Sequence, residues 1–250
     1  GGPVIGGSAE EISFTSSLGD IFNSGRLSSS GGDSWVDGNA GAGSVVYMLT
    51  SGGVFSQIKN NAPVVLTGGR SQGALRFGGG GGILVADVAG GALSWKGGIN
   101  ANGGDGDQAG PGGSIQITAG EVNVHGLGGA IAMDGGAGAP GHGAGSMSIN
   151  CADGDVFVGR PVYGRGGLGL DGPGGGGADV IINGPGKVEF LADLLLTGGD
   201  GREGIGGRGG SLSMSSGEKA VYAGTARLNA GNAGGAGDYE GGAGTFFAMS

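Results

Sequence analysis

The chain has 250 residues, 71 of them glycine, with 13% charged, 6% aromatic and a formal net charge of −9. That acidic balance, with no basic run, excludes a nucleic-acid partner held by phosphate contacts, and the lone Cys151 excludes a disulfide framework or a cysteine-built metal site. Glycine without every-third spacing excludes collagen, and 37% hydrophobic residues in alternating pairs argue against disorder.

The opening GGPVIGG carries neither an initiator methionine nor a signal-peptide pattern, which predicts a processed, trimmed or excised chain. From Ile12 onward the sequence repeats itself. The first copy pairs Ile12 with Phe14, continues through GDIFNSGRLSSSGG, and returns through DSWVDGNAGAG. The second, from Val45, is the most irregular, running VFSQIKNNAPVVLTGG and then RSQGALRFGGGGG. The third starts at Ile83 and the fourth at Ser114, where SIQITAGEVNVHGLGGAIAMDGG places Ile115, Ile117, Val122, Val124 and Ile131 at alternating positions. Copies five to seven follow from Met147, Ala178 and Ser211, and TFFAMS begins an eighth.

Glycine pairs at Gly31, Gly68, Gly103, Gly135, Gly166 and Gly198 mark the period, which settles near 32 residues. No segment has helical i, i+3, i+4 spacing, and the units lack the four antiparallel strands and hairpin turns of a propeller blade. A fixed period with two-residue alternation inside each strand predicts an all-β fold: a right-handed parallel β-helix of about seven coils. Each coil would hold three short strands and a glycine-rich return. The expected organisation is one solenoid domain over 1–250, with irregular coils at 8–81, regular coils at 82–244 and a half-coil at 245–250. Equivalent strands about 4.8 Å apart give a core roughly 30 Å long. Each inward pair is buried only by its neighbours, so stability is cooperative between coils.

Runs such as Gly78–Gly82 have no side chains to hold them, and ordering glycine is entropically expensive. Their nearly constant length nevertheless predicts ordered returns stacked in register, their backbone groups paired between coils. Neither end reads as a capping helix, which predicts open strand edges with Val4, Ile5, Ile12 and Phe14 at one end and Phe246 and Phe247 at the other.

Candidate chemistry is sparse. GGLGLD, from Gly166, matches the start of the calcium nonapeptide GGxGxD, and GGDGDQ and GGDGRE match in part. Asp105, Asp107, Asp171 and Asp200 are therefore the candidate calcium ligands, although in so glycine-rich a chain one match is cheap. No other cofactor is expected. Gly141-His142-Gly143 is similar to the GHG element of β-helical pectin-degrading hydrolases, but their Asn-x-Asp, paired Asp and Arg-x-Lys segments are absent. Asp153 and Asp155 share a face but form ordinary turn chemistry. Two histidines, His125 and His142, lie outside any nucleophile context, and Cys151 follows Ile149 at even spacing, as a core thiol would. No helix follows any glycine run, which excludes a phosphate loop. No catalytic residue is expected, and a polysaccharide-active enzyme is the weakest reading. The aromatics, Trp35, Trp95, Tyr163, Tyr222 and Tyr239 among them, are too few for a sugar-stacking stripe; some are expected to cap coil ends or meet a neighbouring molecule.

The segments GDIFNSGRLSSSGG and GGSIQITAGEVNVHG resemble the glycine-rich β-helical repeats of large secreted bacterial surface proteins, the adhesin and autotransporter class. The resemblance implies an extracellular, structural or adhesive role without catalytic residues. Combined with the open ends it predicts a subunit of an extracellular filament or surface layer, self-assembling head to tail with its own copies. An adhesin or fibre segment that binds surface polysaccharide is the alternative.

Overall fold

The computed structural model describes residues 6–35, 38–72, 76–126, 129–234 and 241–249. The expected Val4 and Ile5 assembly positions, and Tyr239, lie outside them. Three parallel sheets run the length of the molecule, one of eight strands and two of seven, each built from successive coils in sequence order. In the fourth coil the strands are Ser114–Ala119, Glu121–Val124 and Ile131–Ala132, one for each sheet. No α-helix occurs among the described residues; one 3-10 turn spans Gly53–Phe55. The solenoid predicted from the repeat is therefore the fold.

Register explains why the alternation is so regular. In the first sheet Ile115 stands between Leu84 and Met147, and Ile117 between Ala86 and Ile149. In the second Val122 lies between Leu93 and Val156, and in the third Ile131 lies between Ile99 and Val162. All of these side chains are buried in one continuous core. Because side chains alternate with a period of two, slipping one coil by one residue would turn its whole apolar set to solvent. Each fully buried Leu, Ile or Val contributes about 1.5–3 kcal/mol, and most of that burial comes from the neighbouring coils. Trp95 falls in one of these inward rows, above Asn60, and is fully buried. Trp95, which sequence alone left unplaced among the scattered aromatics, is thus core. Asn60 is buried as well, and its amide donates to Ala62 O at 2.7 Å and accepts from Asn23 at 2.6 Å, which satisfies it without water.

The described residues of the returns are paired through their backbones, as the strands are. Gly103 N donates to Asp134 O and Gly81 N to Pro111 O, bonds between the same leg of successive returns. The alternate amides point across to the opposite leg. Gly79 N donates to Gly69 O, Gly104 N to Gly79 O, Gly110 N to Gly104 O and Gly136 N to Gly110 O. The zigzag continues through His142, Gly167, Gly175, Gly199 and Gly207 to Gly231. Backbone bonds thus leave each leg in more than one lateral direction, which a flat sheet does not allow, and glycine permits the legs to approach this closely. A Cβ on Gly104 would sit 1.8 Å from Gly69 O, and one on Gly167 1.7 Å from Gly136 O. Space, not a left-handed φ, demands glycine there. The sequence-based expectation of backbone-paired returns holds, and the buried backbone groups of a nearly side-chain-free layer find partners.

Candidate functional site

Carboxylates at the corners do one recurring job. Oδ1 of Asp33 accepts from Arg70 N at 2.7 Å, that of Asp105 from Ala137 N at 2.9 Å, and that of Asp134 from Arg165 N at 2.7 Å. Asp155, Asp193 and Asp200 accept in the same way from Lys187, Thr225 and Asn232. Every acceptor belongs to one coil and every donor to the next, so these side chains join corners that no strand pairing reaches. Two of the four candidate calcium ligands, Asp105 and Asp200, are among them. Asp171 is exposed in a return, and Asp107 lies at a bend two residues beyond Asp105. Among the described residues no group of three or more His, Cys, Asp or Glu side chains gathers around a point where a metal ion would sit.

The other sequence candidates are dispersed. His142 contributes its backbone to the return zigzag while its exposed ring accepts a hydrogen bond from Gly143 N at Nδ1. His125 sits at a corner with its carbonyl bonded to Arg160. Cys151 is buried, with Sγ 2.9 Å from Gly120 O, and burial pushes its thiol pKa up, against the lowering effect of the Gly154 and Asp153 backbone. It is a core thiol.

One corner breaks the repeat, within the stretch read as regular. Between its second and third strands every coil uses three residues, except the fourth, which uses six, His125 to Ala130. The same coil makes its preceding corner from Gly120 alone, so the period hides the insertion. Gly126 and Gly129 take φ of 108° and 84°, values that side chains resist. In the fifth coil the residue at the second corner position is Arg160, where the other coils place Gly25, Ala62, Gly97, Gly126, Ala192 and Gly224. At Gly97 and Gly224 nothing larger fits, since a Cβ would lie 1.8 Å from Ala62 O and 2.1 Å from Ala192 O. The Arg160 guanidinium lies beside Gly126 and Gly129 of the enlarged corner and is wholly buried. Its Nε donates to His125 O at 3.0 Å, and its two terminal nitrogens donate to Gly129 O and Lys96 O. Burial lowers the Arg160 pKa from its ordinary value. Counting residues between strand pairs, rather than between glycine pairs, would have revealed this corner from sequence.

The enlarged corner stands beside a trough over the outer face of the third sheet. A cavity of about 420 Å³ has Val65, Asn100 and Ala132 along its floor and Gly129 and Ala130 of the enlarged corner at its side. A second of about 590 Å³ meets it at Asn100 and reaches Thr67, Asn102, Asp105 and Asp134. Arg70 stands over the second, 3.5 Å from Asp105. Arg165 pairs with Asp134 at 2.5 Å just beyond it, and its pKa is raised by that hydrogen bond.

The described end coils form the other distinctive surface. Phe246 is in register with Leu212 and Ile12 with Val46, both buried positions, yet Phe246 is 46% exposed. Phe14 continues the row of Met48 and is 36% exposed, while Phe247 lies on the outward row of Ser213. Phe190, Tyr222 and Phe246 stack in steps of 5.5 and 5.6 Å toward that face.

Fold and surfaces together define a three-sheet parallel β-solenoid flanked by a packed glycine layer. No protein-family model, curated protein or solved structure matches the chain. No helix among the described residues is long and apolar enough to cross a membrane.

Proposed function

We propose that this chain is a structural subunit of an extracellular filament or surface layer, in which solenoids stack head to tail. The observation that carries the reading is that both outermost described coils present inward-type apolar residues that no further described coil covers. Ile12, Phe14 and Leu27 do so on one face, and Phe246 and Ala248 on the other. In the eight-stranded sheet, a second copy that sets Ile12–Ser16 beside Thr245–Met249 continues the inward rows and pairs two open strand edges. Burial of these residues and new parallel ladders drive the contact, while the charge of −9 discourages sideways association.

Electron microscopy and sedimentation of the native material test this. Filaments with a strand spacing of about 4.8 Å along their axis are expected. Phe246→Lys, which sets a charge against the apposed face, is expected to give dispersed particles that keep the β-rich circular dichroism of the wild type. A monodisperse wild-type monomer at high concentration sinks the reading. Contact with surface glycans is a second reading, favoured by the trough over the third sheet.

A further inference from the structure

The enlarged fourth corner is not needed to build the solenoid, because the other coils turn there in three residues. It uses two glycines at positive φ, which only glycine adopts without strain, and it receives the fully buried guanidinium of Arg160, a charge that is costly to desolvate. Local departures from an otherwise consistent repeat are where function is expected. Gly129 and Ala130 of this corner line one side of the trough, and Arg160 ties Gly129 to His125 and Lys96 by donating to the carbonyls of all three.

The chemistry inside the trough is specific. Asn100 Oδ1 accepts from Asn102 N at 3.2 Å, and Asn102 Oδ1 accepts from Asp134 N at 2.8 Å. These bonds fix both amides, so that each NH2 group is left as an oriented donor. Thr67 and Ser30 add hydroxyls bonded to each other at 3.1 Å. Charges of both signs alternate across the polar half, Asp33, Arg70 and Asp105, so no single-sign field favours an ion. The floor between these groups is small and apolar, Val65 and Ala132. Its residues advance one coil at a time, about 4.8 Å per step, close to the length of one pyranose unit.

We infer that the trough binds a neutral oligosaccharide chain lying along the solenoid axis, its ring hydroxyls on Asn100, Asn102 and the carboxylate edges and its C–H faces on Val65 and Ala132. Oriented donors and acceptors beside an apolar floor are what such a ligand requires. The inference rests on the adhesive reading and is independent of end-to-end assembly.

Three variants of the full chain test it on an array of neutral and anionic glycans, with the strongest hit titrated calorimetrically. Ala132→Trp fills the floor. Tyr163 already occupies the same row one coil on, so a large side chain is compatible with that position. Asn100→Asp keeps the Oδ1 acceptor and removes the donor. Wild type is expected to bind neutral glycans. Ala132→Trp should abolish that binding and Asn100→Asp weaken it about tenfold, as for loss of one good hydrogen bond, both with unchanged melting temperatures. Neutral-glycan binding that both variants retain overturns the trough while leaving the adhesive reading intact. Absence of any wild-type hit overturns both. Binding restricted to anionic glycans and lost in Arg70→Ala overturns the neutral-ligand assignment.

Discussion

Glycine carries two different burdens in this chain, and single substitutions separate them. Gly167 is hemmed in: a methyl there meets Gly136 O at 1.7 Å, and the obstacle is backbone that the zigzag holds in place. Gly143, one coil earlier in a comparable return, has its nearest neighbour at 3.8 Å. Gly167→Ala is therefore expected to destabilise by about 1–3 kcal/mol, as overpacking does. Gly143→Ala should be neutral or stabilising by about 0.4–1 kcal/mol through the unfolded chain. Paired thermal melts check the contrast. Cys151 offers a second test at this scale. Burial raises its thiol pKa, so the folded state keeps its proton where the unfolded state has lost it. That contribution is fully present below the unfolded thiol value of about 8.5 and is lost as pH rises above it. Denaturant melts at pH 7 and pH 10 should show a larger loss for wild type than for Cys151→Ala, and the thiol should resist alkylation until the chain unfolds.

At the scale of elements, strands account for the sheets but leave the corners without ladders. The aspartates supply what is missing, each accepting an N–H from the coil that follows. Asp193 has this role alone, bonding Thr225 N at 2.9 Å. Asp193→Ala should cost about 0.5–1.5 kcal/mol, whereas Asp193→Asn retains Oδ1 and should cost little; chemical denaturation of the two variants decides it. Equal losses in both would show that charge, rather than the acceptor, matters. The same logic explains the calcium-like GGDG segments: a coil-spaced Asp after a glycine pair meets the need of a corner for an acceptor, and that need was invisible until the coils were stacked. The aspartates were legible as turn residues, but their partners, 31 to 37 residues away, were not.

For the whole molecule, the repeat made the architecture readable. Alternation named the inward residues from Ile12 to Phe246, and the constant period named the stacking, because a coil too thin to bury itself must repeat in register to be stable. The ordered returns followed from their constant length. The candidate site was much less legible. Its polar floor is assembled from Thr67, Asn100, Asn102 and Asp134, residues of three coils that look like unremarkable turn and strand-end positions in the sequence. Its side depends on an insertion offset by a short corner at Gly120 within the same coil. By itself, then, the sequence determined the solenoid, its coil number and the inward ladders, since those depend on a periodic pattern of burial that is local to each strand. Only the tertiary structure decided where Arg160 goes, which carboxylates close corners and where a trough opens. Those depend on what one coil places over the next, and a repeat averaged along the chain erases the single coil that differs.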